Sequence, residues 1–137
     1  GTTRDAARRY EIALQTFYGG GRLGPARPLF DLVLMGLGPD GHTASLFPGD
    51  AALDERARWV VGVAHANVEP LVPRVTLTLP TLASCREILF EVSGADKRAI
   101  LARVLDGEDL PASRVRSLGD TVWLVDTAAL PESPHDT

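Results

Sequence analysis

Four short, mainly apolar runs, at residues 31–35, 59–64, 88–92 and 122–125, constrain this chain more than any other feature. A membrane span needs about 18 or more consecutive apolar residues, which none of the runs supplies. Their length, and their content of Val, Ile and aromatic residues, read as buried strands. A fifth stretch, RVTLTL at 74–79, alternates Thr and Leu and has strand propensity. Helical patterns lie around these runs. Over residues 3–17, Ala6, Tyr10, Ala13, Leu14 and Phe17 share one face, and the linker YGGGRLGPARP follows. Over residues 95–105, Lys97, Ile100, Leu101, Val104 and Leu105 recur at helical spacing, with Gly107 where a C-cap belongs. Asp126 is placed to cap a last short helix, TAAL, and residues 131–137 read as a disordered tail. Strands alternating with helices predict an α/β domain with a mostly parallel sheet flanked by helices. The chain opens on a helix with no strand before it. The expectation is therefore an N-terminally truncated domain, with residues 1–130 as the C-terminal part of a single unit.

Composition narrows the function classes. Hydrophobic residues make up 45% of the 137, enough for a core. The net charge is -4, with 14 Lys and Arg against 18 Asp and Glu, so no basic face and no nucleic-acid partner are expected. The start of the chain lacks the charged-then-apolar pattern of a signal peptide. The single Cys85 excludes an internal disulfide and a cysteine metal cage, and no His/Cys/Glu spacing suggests zinc. The reading is a cytoplasmic protein with no membrane partner. Of the 14 basic residues only Lys97 is a lysine, which points to a position wanting a compact ammonium.

The stretch FDLVLMGLGPDGHTASLFPG, residues 30–49, holds Gly36, Gly38 and Gly41, a literal G-x-G-x-x-G after an apolar run. As a dinucleotide fingerprint it fails on three counts. Asp40 would set a carboxylate against the phosphates, where bare backbone N–H groups are needed. Pro48 ends any following helix within two turns, too short to aim a dipole. The acidic residue expected about 20 positions on is absent. A chemical reading fits better. Asp40 lies at the C-terminal end of the strand, where crevice ligands bind, and can cap a short helix. His42 then sits on that helix's first turn, where a neutral imidazole can take a proton from water and Asp40 can favour the resulting imidazolium. The alternative is a helix cap beside a satisfied surface histidine, and residue types leave both open. His65 and His135 read as solvated, Cys85 and Met35 as core, and Trp59 and Trp123 as core anchors.

The run LMGLGPDGHTASLFPG resembles the signature of the 6-phosphogluconolactonase family. PRVTLTLPTLASCREILFEVSGADKRAIL is similar to that family's second signature, and AARRYEIAL, LPASRVR, TVWLVD and TAAL resemble the segments around them. The resemblance implies a Rossmann-like fold shared with glucosamine-6-phosphate deaminases. It also implies metal-free and cofactor-free hydrolysis of 6-phosphoglucono-δ-lactone in the oxidative pentose phosphate pathway, by a monomer or small homo-oligomer. It makes His42 the general base with Asp40 beside it, and Arg74 and Lys97 the cations that hold the sugar phosphate. The deaminases share D-G-H but carry a glutamate where this sequence has Phe47. The family also has a Gly/Ser-rich phosphate loop in an earlier segment, and no such loop occurs in these 137 residues. A deaminase-like isomerase and a non-catalytic sugar-phosphate-binding module are the other two expectations.

Overall fold

The structure, a computed structural model, describes residues 1–64 and 70–132. Helix α1, Thr3–Tyr18, starts at a reciprocal cap in which Thr2 Oγ1 accepts the Asp5 N–H and the Asp5 carboxylate accepts the Thr2 N–H. It ends at Gly19, whose φ of 87° is left-handed. Its buried line is Ala7, Glu11 and Tyr18, whereas Tyr10 and Phe17, expected inside, are exposed. The face is turned because a glutamate serves as a core residue. Glu11 Oε1 accepts the N–H of Trp59 at 2.5 Å and of Val60 at 3.3 Å, and Oε2 pairs with Arg58 at 3.0 Å. A hydrophobic count cannot see a carboxylate whose burial depends on partners 48 residues away. Tyr18 completes the contact, with its ring edge-on to Trp59 at 5.9 Å.

The apolar runs become β1 (Phe30–Met35), β2 (Val60–Val63), β4 (Cys85–Val92) and β5 (Thr121–Val125). RVTLTL supplies β3 (Arg74–Leu77), but the strand stops two residues early. Thr78 and Pro80 start the short helix α2, Leu79–Ala83, and the hydroxyls of Thr78 and Thr81 donate to the Trp59 carbonyl. The sheet expectation holds for three strands. β1, β4 and β5 pair in parallel in the order β1-β4-β5. β2 and β3 stand apart as an antiparallel pair, with α1 packed on them.

Alternation sorts the parallel sheet into two faces. Val33, Met35, Ile88, Phe90 and Val92 point into the main core with Leu101 and Val104 of α3 (Arg98–Leu105). Cys85, fully buried, belongs to it, and Trp123 stacks on Phe90 at 3.9 Å. The other face leaves Leu34 and Leu124 about 60% exposed. The helix expected over 95–105 opens as a 3-10 turn, Ala95–Lys97, before α3 begins. Gly107 does follow it with a left-handed φ. The last helix, α4, is Pro111–Arg114. TAAL is one turn rather than a helix, closed by the Asp126 carboxylate on the Ala129 N–H. His65, His135 and all but the first two residues of the expected tail lie outside the described residues.

Glu11→Ala should lower stability by about 1–3 kcal/mol, since it strands two backbone donors at the start of β2. A urea melt of the variant against the parent measures this, and Tyr10→Ala, at an exposed position on the same helix, should stay within about 0.5 kcal/mol.

Candidate functional site

β1 delivers the chain to a tight loop, not to a helix. The expected capped helix over 40–48 is absent. Two backbone bonds close a turn instead, from the Gly38 N–H to the His42 carbonyl at 2.8 Å and from the Gly41 N–H to the Gly38 carbonyl at 3.0 Å. Gly41 has a φ of 88°, and Ala44 is left-handed at 51°, a conformation costing a non-glycine residue about 1–2 kcal/mol. Both angles lie outside the α-helical region. Thr43, buried, donates its hydroxyl to the Gly36 carbonyl at 2.7 Å and folds the loop back on the end of β1.

The turn presses Asp40 and His42 together. Asp40 Oδ1 accepts the His42 backbone N–H at 3.0 Å and lies 2.5 Å from Nδ1. A carboxylate only accepts, so that contact assigns the ring proton to Nδ1 and leaves Nε2 as the acceptor. Burial would raise the Asp40 carboxyl. The His42 ring bond, the His42 backbone N–H and the electrostatic attraction of the His42 side chain outweigh it and hold the carboxyl below the usual aspartate range. Gly38 makes the approach possible, since a Cβ there would lie 2.0 Å from His42 Cε1 and Nδ1. A Cβ at Gly41 would meet Leu110 at 3.0 Å, while one at Gly36 would meet nothing within 4 Å. Space therefore demands glycine at Gly38, and the left-handed φ favours it at Gly41.

His42, Gly36, Gly38, Arg74 and Lys97 line one cavity of about 590 Å³, and Asp40 and Gly41 are not part of its lining. Lys97, at the end of the 3-10 turn before α3, reaches across to donate to the Leu37 carbonyl at 2.5 Å. Arg74, first residue of β3, donates to the Pro70 carbonyl at 2.8 Å. Thr43 and the Leu37 carbonyl were missed by residue-type reasoning. Thr43 carried a signal in its place directly after His42, but nothing in the sequence tells which carbonyl its hydroxyl meets. Among the described residues no group of three or more His, Cys, Asp and Glu could hold a metal ion, and no helix is long and apolar enough to cross a membrane.

Residues 1–123 match the family described as glucosamine-6-phosphate isomerases/6-phosphogluconolactonase. The 6-phosphogluconolactonase of Rattus norvegicus is 38% identical over 141 residues, covering 97% of this chain and 53% of its own length. That of Streptomyces coelicolor is 40% identical over 113 residues, covering 80% and 43%. Among solved structures, the 6-phosphogluconolactonase of Trypanosoma brucei superposes with a TM-score of 0.74 at 31% identity, over 90% of this chain and 51% of that one. A monomeric glucosamine-6-phosphate deaminase superposes at 0.62 and 27% identity, over 90% and 52%. The chain thus spans about half the length of the curated relatives it matches.

The depressed Asp40 carboxyl has a consequence for stability. A folded-state value below the ordinary ~3.9 contributes stability above that pH and loses it as pH falls through the folded value. Urea midpoints of the parent and Asp40→Asn should differ at pH 6 and converge below about pH 4. A gap that does not narrow as pH falls below the ordinary carboxylate range would contradict the Asp40–His42 bond as its source.

Proposed function

Because the chain belongs to the glucosamine-6-phosphate isomerase/6-phosphogluconolactonase family, we propose that the whole protein hydrolyses 6-phospho-D-glucono-1,5-lactone to 6-phosphogluconate. One observation carries the reading. A histidine with Nδ1 held by a carboxylate shares a cavity with an arginine and the chain's only lysine. That arrangement offers a base at one place and two cations for a phosphate dianion at another.

In this reading His42 Nε2 accepts a proton from a water molecule as the water oxygen attacks the lactone carbonyl carbon. Asp40 keeps the tautomer and stabilises the imidazolium, as the acid of a hydrolytic triad does. The tetrahedral intermediate collapses by breaking the bond from the carbonyl carbon to the ring oxygen. The imidazolium returns its proton to that oxygen, which leaves as a hydroxyl, and the new carboxylic acid ionises. Arg74 and Lys97 take the phosphate. Lys97 gives one N–H to Leu37, and an ammonium carries three, so donors remain for an anion. Residues 1–130 are then the C-terminal part of one such domain, and a cytoplasmic sugar-phosphate pathway is the setting that fits the substrate. The acidic net charge gives a nucleic-acid partner no footing.

The likeness to a glucosamine-6-phosphate deaminase supports a second reading, ring opening and loss of ammonia. Phe47, fully buried against His42, weighs against it, because it fills with an apolar ring the place where the deaminases carry a glutamate. Ammonia release from glucosamine 6-phosphate by the whole protein separates the two.

His42→Ala in the whole protein should lower kcat by about two to four orders of magnitude, with a smaller change in KM. Rates must be corrected for spontaneous lactone hydrolysis, and a variant within a few-fold of the parent would remove His42 from the mechanism. Arg74→Ala and Lys97→Ala should raise KM for the phosphorylated lactone by about 10- to 150-fold each, the equivalent of one charge-assisted hydrogen bond. The same variants should act on unphosphorylated gluconolactone nearly as the parent does. Equal losses on both substrates would assign the cations to the fold or to the chemistry.

A further inference from the structure

We propose that Phe47 is a positioning residue that braces the His42 imidazole and sets its place relative to Arg74, an inference that rests on the lactonase reading for its kinetic part. Phe47 is fully buried, yet it stands apart from the main core and clusters with Val63 of β2. Its ring centroid lies 4.8 Å from that of His42, tilted by 41°, and 5.7 Å from the Arg74 guanidinium carbon. Val63 is the β2 residue paired with Arg74 in the antiparallel register. One aromatic ring therefore touches the base, the cation and the strand partner of the cation.

This contact supplies what the Asp40 bond cannot. The imidazole turns about its Cβ–Cγ bond, and a single hydrogen bond at Nδ1 leaves that rotation some freedom. A packed aromatic face removes that freedom, and the direction in which Nε2 points decides whether a water proton is within reach. The loop is tied to β3 a second time by the Ser45 N–H on the buried Thr76 hydroxyl at 3.1 Å. Ser45 and Phe47 thus seat the His42 loop on the antiparallel pair that carries Arg74. The separation between base and cation is set by this seat, and a lactone with its phosphate must match it.

Two readouts test the proposal on the whole protein. The first is kcat and KM for 6-phosphogluconolactone well below the melting temperature. The second is the imidazole Nδ1–H signal of His42 in the NMR spectrum of the free protein. Phe47→Leu keeps an apolar side chain but removes the ring face. Phe47→Met is prepared beside it, in case the branched side chain does not fold. Leu82→Ala, in the main core, is the control for a general loss of packing. The expected result is a kcat lowered by about 10- to 100-fold in the Phe47 variants, with the Nδ1–H signal broadened or lost. Leu82→Ala should keep both, although it melts earlier. Phe47 variants with kcat within about twofold of the parent and an unchanged signal would overturn the proposal, as would equal losses in Leu82→Ala. A parent without lactonase activity would overturn the reaction assignment instead, and the Nδ1–H comparison would then decide the role of Phe47 alone.

Discussion

The Asp40 carboxylate grips His42 at both its backbone N–H and its ring, and the site depends on that double contact. A helix starting at Asp40 would have spent the carboxylate on capping and carried the imidazole away on its first turn. The turn closed by Gly38 and Gly41 brings the ring back over its own loop instead. The close packing requires Gly38 to have no Cβ, and the same loop holds Ala44 in a left-handed conformation. An unfavourable local geometry of this kind persists only where the surrounding fold over-determines it. Here the fixing contacts are Thr43 on Gly36, Ser45 on Thr76 and Phe47 on Val63.

The two sheets divide the work of building the site. The parallel sheet ends β1 at Met35 and carries the chain after β4 through Gly94 to Lys97, so that loops from neighbouring strands meet at one edge. This is the crevice at the carboxyl ends of parallel strands where α/β folds bind ligands. The antiparallel pair brings Arg74 from the side, on a strand that shares no hydrogen bonds with the other sheet. His42 follows a strand of one sheet and Arg74 opens a strand of the other, so the packing between the two sheets sets how they face each other. The Lys97 bond to the Leu37 carbonyl serves the same end, joining the turn before α3 to the loop of β1.

The strands were legible because short apolar runs bounded by Gly and Pro have few other uses in a chain of this kind. β1, β2, β4 and β5 lie where those runs predict them. The core positions of Cys85 and Met35 follow from the same pattern. The α1 face was read one position off, because the pattern counted Tyr10 and Phe17 and passed over Glu11. The helix expected after β1 does not form, for a related reason. Asp40 and the residues after it are compatible with a capped helix, but the backbone bonds between Gly38, Gly41 and His42 and the left-handed Gly41 and Ala44 close a turn instead.

The sequence by itself determined the alternation of strand and helix, the acidic balance, the presence of one lysine, and the order of Asp40, His42, Arg74 and Lys97. These are properties of residue type and spacing, and they need no knowledge of what lies nearby. Which atoms meet was decided by the tertiary structure. It placed Nδ1 on Asp40, set Phe47 against His42 and near Arg74, and buried Glu11 against Trp59. Those contacts join residues up to 48 positions apart, and each is favourable only once its partner has been brought out of water and into reach.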